Sequence, residues 1–295
     1  MSGAESHAVE AEPPAPAVRR AVAVALEEDL LPLGDLTAVL LAPEAEGSAV
    51  FVSRAPGVLA GTSCAVETLR QVGGAQLDLA LRDGARLEPG TVIGTVTGSF
   101  RSVVTAERTA LNFLCHLSGV ASLTARYVAA VEAVSPSCRV CDTRKTTPGL
   151  RALEKAAVRA GGGANHRGSL SEGVLVKDNH LGHASIADAV AAARRRWPGR
   201  MVEVECDRPE QVEAAVAAGA TFVLCDNMAP ETLAHCVRMV REHPRGRAGA
   251  VLVEASGGIT LENVAAYAAA GPDVISVGAL THSAPALDIG LDLVE

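Results

Sequence analysis

From Arg139 onward the chain keeps one rhythm, a short and continuously apolar run followed by an alanine-rich stretch with helical spacing. The runs are RVCDT (139–143), GVLVKD (173–178), MVEVEC (201–206), TFVLCD (221–226), AVLVEAS (250–256) and DVISVG (273–278). Helix candidates lie between them, near 149–160, 184–196, 208–218, 230–242 and 260–270. A strand with one wet face alternates apolar and polar residues, so continuous runs belong to strands covered on both faces. Strand–helix repetition with right-handed crossovers then gives a parallel sheet. Six such units predict a parallel α/β barrel, complete or open. Hydrophobic residues make up 48% of the chain but aromatics only 2%, so the core has to be layered from Ala, Val, Leu and Ile.

The residues before this repeat read differently. Residues 1–17 are rich in Ala, Glu and Pro without periodicity and predict a disordered tail. From 18 to 125 a helix near Val18–Glu28 precedes short Val/Leu stretches broken by Gly and Pro, such as GVLAG and LEPGTVIGTVTG. A long helix follows from about Ala106 to Val134. The expected organisation is therefore a tail (1–17), a smaller mixed α/β N-terminal domain with a linking helix (18–125), the barrel (126–280), and a last segment (281–295) returning toward the N-terminal domain.

Several function classes fall away on composition. A formal charge of -8 and only one Trp, two Tyr and four Phe supply neither the electrostatics nor the stacking platforms of a nucleic-acid binder. No apolar run is read as long enough to cross a bilayer, and the N-terminus lacks the order of a signal peptide, which predicts a cytoplasmic protein without a membrane partner. Seven scattered cysteines predict reduced thiols. Cys138 and Cys141 form a CxxC, but no second Cys/His pair stands at zinc-site spacing.

Polar residues gather at the C-terminal end of nearly every run: Asp142, Arg144 and Lys145; Lys177, Asp178, Asn179 and His180; Glu205; Asp226; and Ser256 with Gly257 and Gly258. In a parallel barrel these ends form one rim, where ligands bind. Any one of them could be a solvated loop or helix cap, so it is their agreement that carries weight. The segment 142–180 is cationic in an acidic chain and holds all three lysines, Lys145, Lys155 and Lys177, with Arg144, Arg151, Arg159 and Arg167. Arg grips carboxylate or phosphate at two points and Lys at one, so this mixture suits a small polyanion. Arg151, Lys155 and Arg159, spaced by four, are read as a solvated helix face beside Glu154. Glu205 and Asp226 offer hard oxygens for magnesium or ribose hydroxyls, with an ion pair to the basic patch as the alternative. The small residues of EASGGIT and SVGAL leave backbone N–H groups open to a phosphate, or simply form tight turns.

At these residues a resemblance appears. DTRKTTPGLRALEKAAVRAGGGANHRGSLSEGVLVKDNHL is similar to the signature of the quinolinate phosphoribosyltransferase family, and EDLLPLGDLT, ERTALNFLCHLSGVAS, VEVECD, VLCDNM, VEASGGIT and VISVGALTHSAPALDIGLD resemble its other blocks, in order, over about 19–293. The resemblance implies an open barrel of about seven strands and a homodimer, or a higher oligomer, with shared sites. It implies that Arg144, Arg167, Lys177, His166 and Arg108 of the partner subunit hold the two quinolinate carboxylates. Lys145 would serve phosphoribosyl pyrophosphate, Glu205 and Asp226 its ribose and Mg2+, and Ser256, Gly257, Gly258 and Gly278 its 5'-phosphate; Thr143, Val277 and Ala279 flank these contacts. Ala156, Ser169 and Cys115 depart from the family's usual residues, none at an expected contact. Rival readings are a paralogous phosphoribosyltransferase acting on another anionic heterocycle, a Schiff-base barrel aldolase using Lys145 or Lys177, and a non-catalytic phosphate-ligand sensor.

Overall fold

The computed structural model describes residues 12–177, 179, 184–244, 246 and 251–294, and in it each of the six apolar runs carries a strand. These are β6 (Arg139–Cys141), β7 (Val174–Val176), β8 (Val202–Cys206), β9 (Phe222–Asp226), β10 (Leu252–Ser256) and β11 (Val274–Ser276). They form one parallel sheet in the order β6-β11-β10-β9-β8-β7. First and last strands are not paired with each other among the described residues. Beyond β6 lies a single parallel bridge, Cys141 to Ala164, which supplies the seventh position without a full strand. The expected open parallel α/β barrel is therefore present.

The helices between the strands start where local chemistry places them. Helix α5 (Ile186–Arg196) begins with a capping box in which Ser185 and Asp188 satisfy each other's backbone N–H groups. Prolines open α6 (Pro209–Ala218) and α7 (Pro230–Glu242), where a missing N–H costs nothing. The last expected helix, 260–270, shortens to α8 (Val264–Ala269), because Thr260–Asn263 closes a turn in which the Asn263 side chain accepts from the Thr260 N–H at 2.8 Å.

The chain divides into two compact units. One takes the residues up to Ala125 with Lys145–Gly162 and Ala279–Glu295; the other takes Arg126–Arg144 and Gly163–Gly278 and contains the barrel sheet. In the first unit an antiparallel sheet runs β12-β1-β5-β3, comprising β1 (Glu46–Ser53), β3 (Ala75–Leu79), β5 (Val92–Ser99) and β12 (Ile289–Val294). The C-terminal strand β12 pairs with β1 from Ser48↔Val294 to Ser53↔Ile289. Phe51, Leu59, Leu69, Leu87, Ile93 and Leu114 form the core of this unit.

Two expectations change here. The tail does not extend to residue 17, because helix α1 runs Ala15–Leu30. A proline within its first turn costs little, and Val18, Val22 and Leu26 bury one face at a spacing of four. The segment 145–162, assigned above to the barrel stretch, groups with the first unit. Its helix α4 (Arg151–Ala160) ends at Gly161, where any Cβ would come within 2.3 Å of the Ala121 carbonyl.

The expectation about apolar runs also needs amending. Helix α3 (Phe100–Glu132) is long and apolar enough, by length and composition alone, to cross a membrane, although about half of its most apolar window is buried in the molecule.

Candidate active site

Residues two apart on a strand share a face, and in-register parallel pairing carries that face across the sheet. Leu175, Glu203 and Phe222 form one layer; Glu205, Leu224 and Glu254 form the next; Asp226 and Ser256 form the last, at the C-terminal end. Glu205 and Asp226 thus share a face by register, on neighbouring strands, and both are partly exposed. The same face carries two acids the sequence reading passed over, Glu203 and Glu254, which are 0% and 1% exposed.

His166 lies against this face, its ring 6.3 Å from that of Phe222. Its Nε2 is 3.1 Å from Glu203 Oε2 and 3.3 Å from Glu254 Oε2. Burial works against a charge on the imidazole, but the two carboxylates outweigh it and push His166 up to about 10. Burial, together with the nearby Glu254 charge, raises Glu203 as well, although His166 opposes that shift.

Asp142, fully buried at the end of β6, fixes the segment that bears His166. It accepts from Asn165 Nδ2 at 2.5 Å and from the His166 backbone N–H at 3.0 Å. Arg167 follows, donating from Nη1 to the Gly173 carbonyl at 2.9 Å. Burial and the Arg144 guanidinium draw Arg167 below its ordinary value. Two guanidinium groups that repel one another invite an anion. Lys177 forms an ion pair with Glu205, the structural alternative raised for that acid. Asn179 is exposed; Asp178 and His180 lie outside the described residues.

The glycine loop after β10 is constrained by its neighbour. Gly257 has φ +88°, and a Cβ there would meet Asn227 Oδ1 at 2.2 Å. Asn227, itself at φ 54°, donates its N–H to the Ser256 carbonyl at 2.9 Å. This settles only that Gly is required, and tight packing suffices as its cause. Gly258, at φ +61°, has open space where a Cβ would stand. After β11, Val277 is buried and donates its N–H to the Cys141 carbonyl at 2.9 Å, with Gly278 next to it.

The remaining expected residues belong to the other unit. Arg108 is exposed on α3 and has no hydrogen-bond or ion-pair partner among the described residues. The exposed Lys145 offers its carbonyl to Thr281 Oγ1 at 2.8 Å, and Ala279 opens helix α9 (Ala279–His282). The chain passes from one unit to the other between Arg144 and Lys145. The solvated-face reading of α4 is wrong in part, since Lys155 is 7% exposed and Glu154 is 0% exposed. Glu154 instead accepts from His116 Nε2 at 2.9 Å and from the Thr147 N–H at 3.1 Å. The CxxC thiols are buried; desolvation, with the Asp273 charge, pushes Cys138 up to about 12.

A signal for Glu203 and Glu254 was present in the sequence. Both interrupt apolar runs, VEVEC and VLVEAS, and an acid inside a strand covered on both faces has to be paired. Sequence alone did not reveal that the two share a partner, because His166 lies some forty and ninety residues before them.

A parallel barrel that gathers guanidinium groups, a lysine, two partly exposed acids and a glycine loop at its strand ends defines an enzyme that handles a small polyanion. Comparison with known proteins narrows this class. Residues 35–118 match the N-terminal domain and residues 120–292 the C-terminal domain of quinolinate phosphoribosyl transferase. A nicotinate-nucleotide pyrophosphorylase [carboxylating] of Mycobacterium leprae is 44% identical over 284 residues, covering 94% of this chain and 97% of that protein. A probable enzyme of the same name from Bacillus subtilis is 40% identical, covering 88% of each. The solved nicotinate-nucleotide pyrophosphorylase of Francisella tularensis superposes with a TM-score of 0.88 at 36% identity, covering 96% of this chain and 98% of that one. The chain belongs to the quinolinate phosphoribosyltransferase family, and the expected enzyme class, a pentosyltransferase of NAD biosynthesis, stands.

Proposed function

We propose that the chain transfers the phosphoribosyl group of phosphoribosyl pyrophosphate to the ring nitrogen of quinolinate and releases the adjacent carboxylate as carbon dioxide, giving nicotinate mononucleotide and pyrophosphate. The observation that carries this reading is the single sheet face on which Glu205 and Asp226 stand near the C-terminal ends of neighbouring strands, with Lys177 on Glu205 and with Arg167, near Arg144, by Glu203 of the same face. Departure of pyrophosphate leaves positive charge at the ribose C1, so acids belong near the sugar and cations near the leaving group. Two carboxylates on one face have the oxygen-donor chemistry for Mg2+, and Glu205 and Asp226 would hold it directly or through water or substrate. Bound there, the ion would neutralise pyrophosphate charge.

The protein's own residues orient the reactants. Arg144, Arg167, Lys177 and His166 hold the quinolinate carboxylates, and Lys145 serves the pyrophosphate donor. Ser256, Gly257, Gly258 and Gly278 take the 5'-phosphate. Attack by the pyridine nitrogen makes the ring cationic, and that charge stabilises the carbanion left as carbon dioxide departs; the carbanion then takes a proton. Aligning reactants is worth on the order of 7 to 11 kcal/mol over a bimolecular reaction in water. Release of pyrophosphate and carbon dioxide from quinolinate, phosphoribosyl pyrophosphate and Mg2+ tests the reading directly. Turnover of another heterocycle in place of quinolinate would overturn it.

The same reading makes the enzyme a cytoplasmic homodimer to whose site Arg108 of the partner subunit contributes. Arg108 is exposed without a hydrogen-bond or ion-pair partner among the described residues, and the same unit exposes Leu31, Leu33, Leu36, Val39 and Leu40, apolar side chains suited to self-association. Mixing inactive Arg108→Ala with inactive Lys177→Ala should restore up to about a quarter of wild-type activity after random subunit exchange, since half the dimers are mixed and each has one intact site. A mixture that stays inactive after demonstrated exchange would remove Arg108 from the neighbouring site.

A further inference from the structure

The face beneath the proposed substrate contacts holds an imbalance. Glu203 from β8 and Glu254 from β10 flank β9 and turn their carboxylates toward one atom, Nε2 of His166. Both side chains are shut off from solvent, and apart from His166 Nε2 no donor among the described residues reaches their Oε2 atoms. Burying a carboxylate is costly unless a charge and hydrogen bonds compensate it. One imidazole N–H has only one proton to direct at the pair.

We propose that Glu203 and Glu254 are positioning residues for the transfer reaction, which keep His166 an imidazolium so that its Nδ1 is always a donor to the carboxylate-bearing substrate. This rests on the reading that His166 contacts quinolinate.

The geometry excludes the alternatives in turn. If Nε2 were the unprotonated nitrogen, its lone pair would face two carboxylates, so Nε2 carries hydrogen. A neutral ring of that tautomer would offer Nδ1 as an acceptor and repel a substrate carboxylate. A doubly protonated ring offers a donor at both nitrogens and adds the positive charge that two buried acids call for. The other groups around His166 do not reverse this. Phe222 of β9 contributes an apolar ring, Asp142 at the end of β6 takes the His166 backbone N–H, and the neighbouring Arg167 feels Glu203. Arg144 stands by Arg167, whereas the two groups within ion-pair distance of the His166 ring are both carboxylates, Glu203 and Glu254. The upward shift of His166 to about 10 agrees with this arrangement.

Nitrogen-15 NMR of the intact wild-type enzyme tests the claim without a variant: at pH 8.5, where an ordinary imidazole is only about 1% charged, His166 should remain an imidazolium. In steady-state kinetics Glu254→Gln should raise the quinolinate KM about tenfold at pH 8.5 and leave the phosphoribosyl pyrophosphate KM within twofold. The defect should shrink as the pH falls toward 6, because the imidazole then holds its proton without help. Glu203→Gln should behave alike, and Glu254→Asp, which keeps the charge, should recover most of the loss. A neutral His166 at pH 8.5, a pH-independent defect shared equally by both substrates, or one tightly held divalent metal per chain on these three side chains would overturn the proposal. His166→Gln separates the two levels. If it leaves the quinolinate KM unchanged, the site assignment itself fails; if it raises that KM while Glu254→Gln does not, only the positioning role fails.

Discussion

Two buried clusters in this molecule are built from the same residue types and differ in one count. In the first unit, Glu154 meets His116 on α3 and also accepts the Thr147 N–H, so one carboxylate has two donors. In the barrel, His166 meets Glu203 and Glu254, so one imidazole has two carboxylates. The histidines differ too, with side-chain exposures of 32% for His116 and 10% for His166. The first cluster satisfies its acid and ties α4 to α3. The second leaves its acids short of donors, and a fold that keeps an excess of buried charge has to gain something other than stability from it. Counting donors against acceptors therefore separates a structural latch from a functional support where residue identity does not.

The largest expected effect is in the latch. Glu154→Ala leaves a cavity and strips acceptors from His116 and the buried-side Thr147 N–H, and should cost about 3 kcal/mol in urea unfolding. A loss below about 1 kcal/mol would mean that α4 is held by its apolar residues alone.

A smaller effect comes from pH. The native His166 and Glu203 are both raised above their ordinary values, so the folded barrel binds more protons than the unfolded chain and stability falls as pH rises. For His166 the contribution is complete below about 6.5 and is lost as pH climbs through about 10. His166→Gln should thus be destabilised relative to wild type at pH 6 and approach it by pH 10, as read from urea midpoints. A gap that stays constant over this range would place the stabilisation in packing and not in charge.

The smallest effect sharpens the comparison most. Glu254→Gln removes one of two crowded negative charges and keeps the shape, so its stability at pH 7 should lie within about 1 kcal/mol of wild type. Thermal unfolding that shows a loss as large as that of Glu154→Ala would erase the distinction between the clusters.

Much of the barrel was legible in advance because its signals are local. Continuous Val-rich runs mark strands covered on both faces, and five of the intervening stretches became helices with ends moved by only a few residues. The end residues Glu205, Asp226 and Ser256 could be placed on one face because alternation along a strand and register across a parallel sheet both have fixed periods. The limits lay where contacts join distant segments. Lys155, read as solvated because it stands among charges at helical spacing, is buried in an unbroken run of buried residues from Leu153 to Val158 that leaves α4 no wet face there. Residues Ala15–Ala17, read as tail, are helical because Val18, Val22 and Leu26 give α1 a face to bury.

Fold class, family and the residues at the strand ends could all be read along the chain, since each depends on patterns local to it. The convergence of Glu203 and Glu254 on His166 and the confinement of Gly257 by Asn227 were decided by folding. Both decisions depend on distances between strands and loops that come together only when the sheet closes, and local propensity carries no information about such distances.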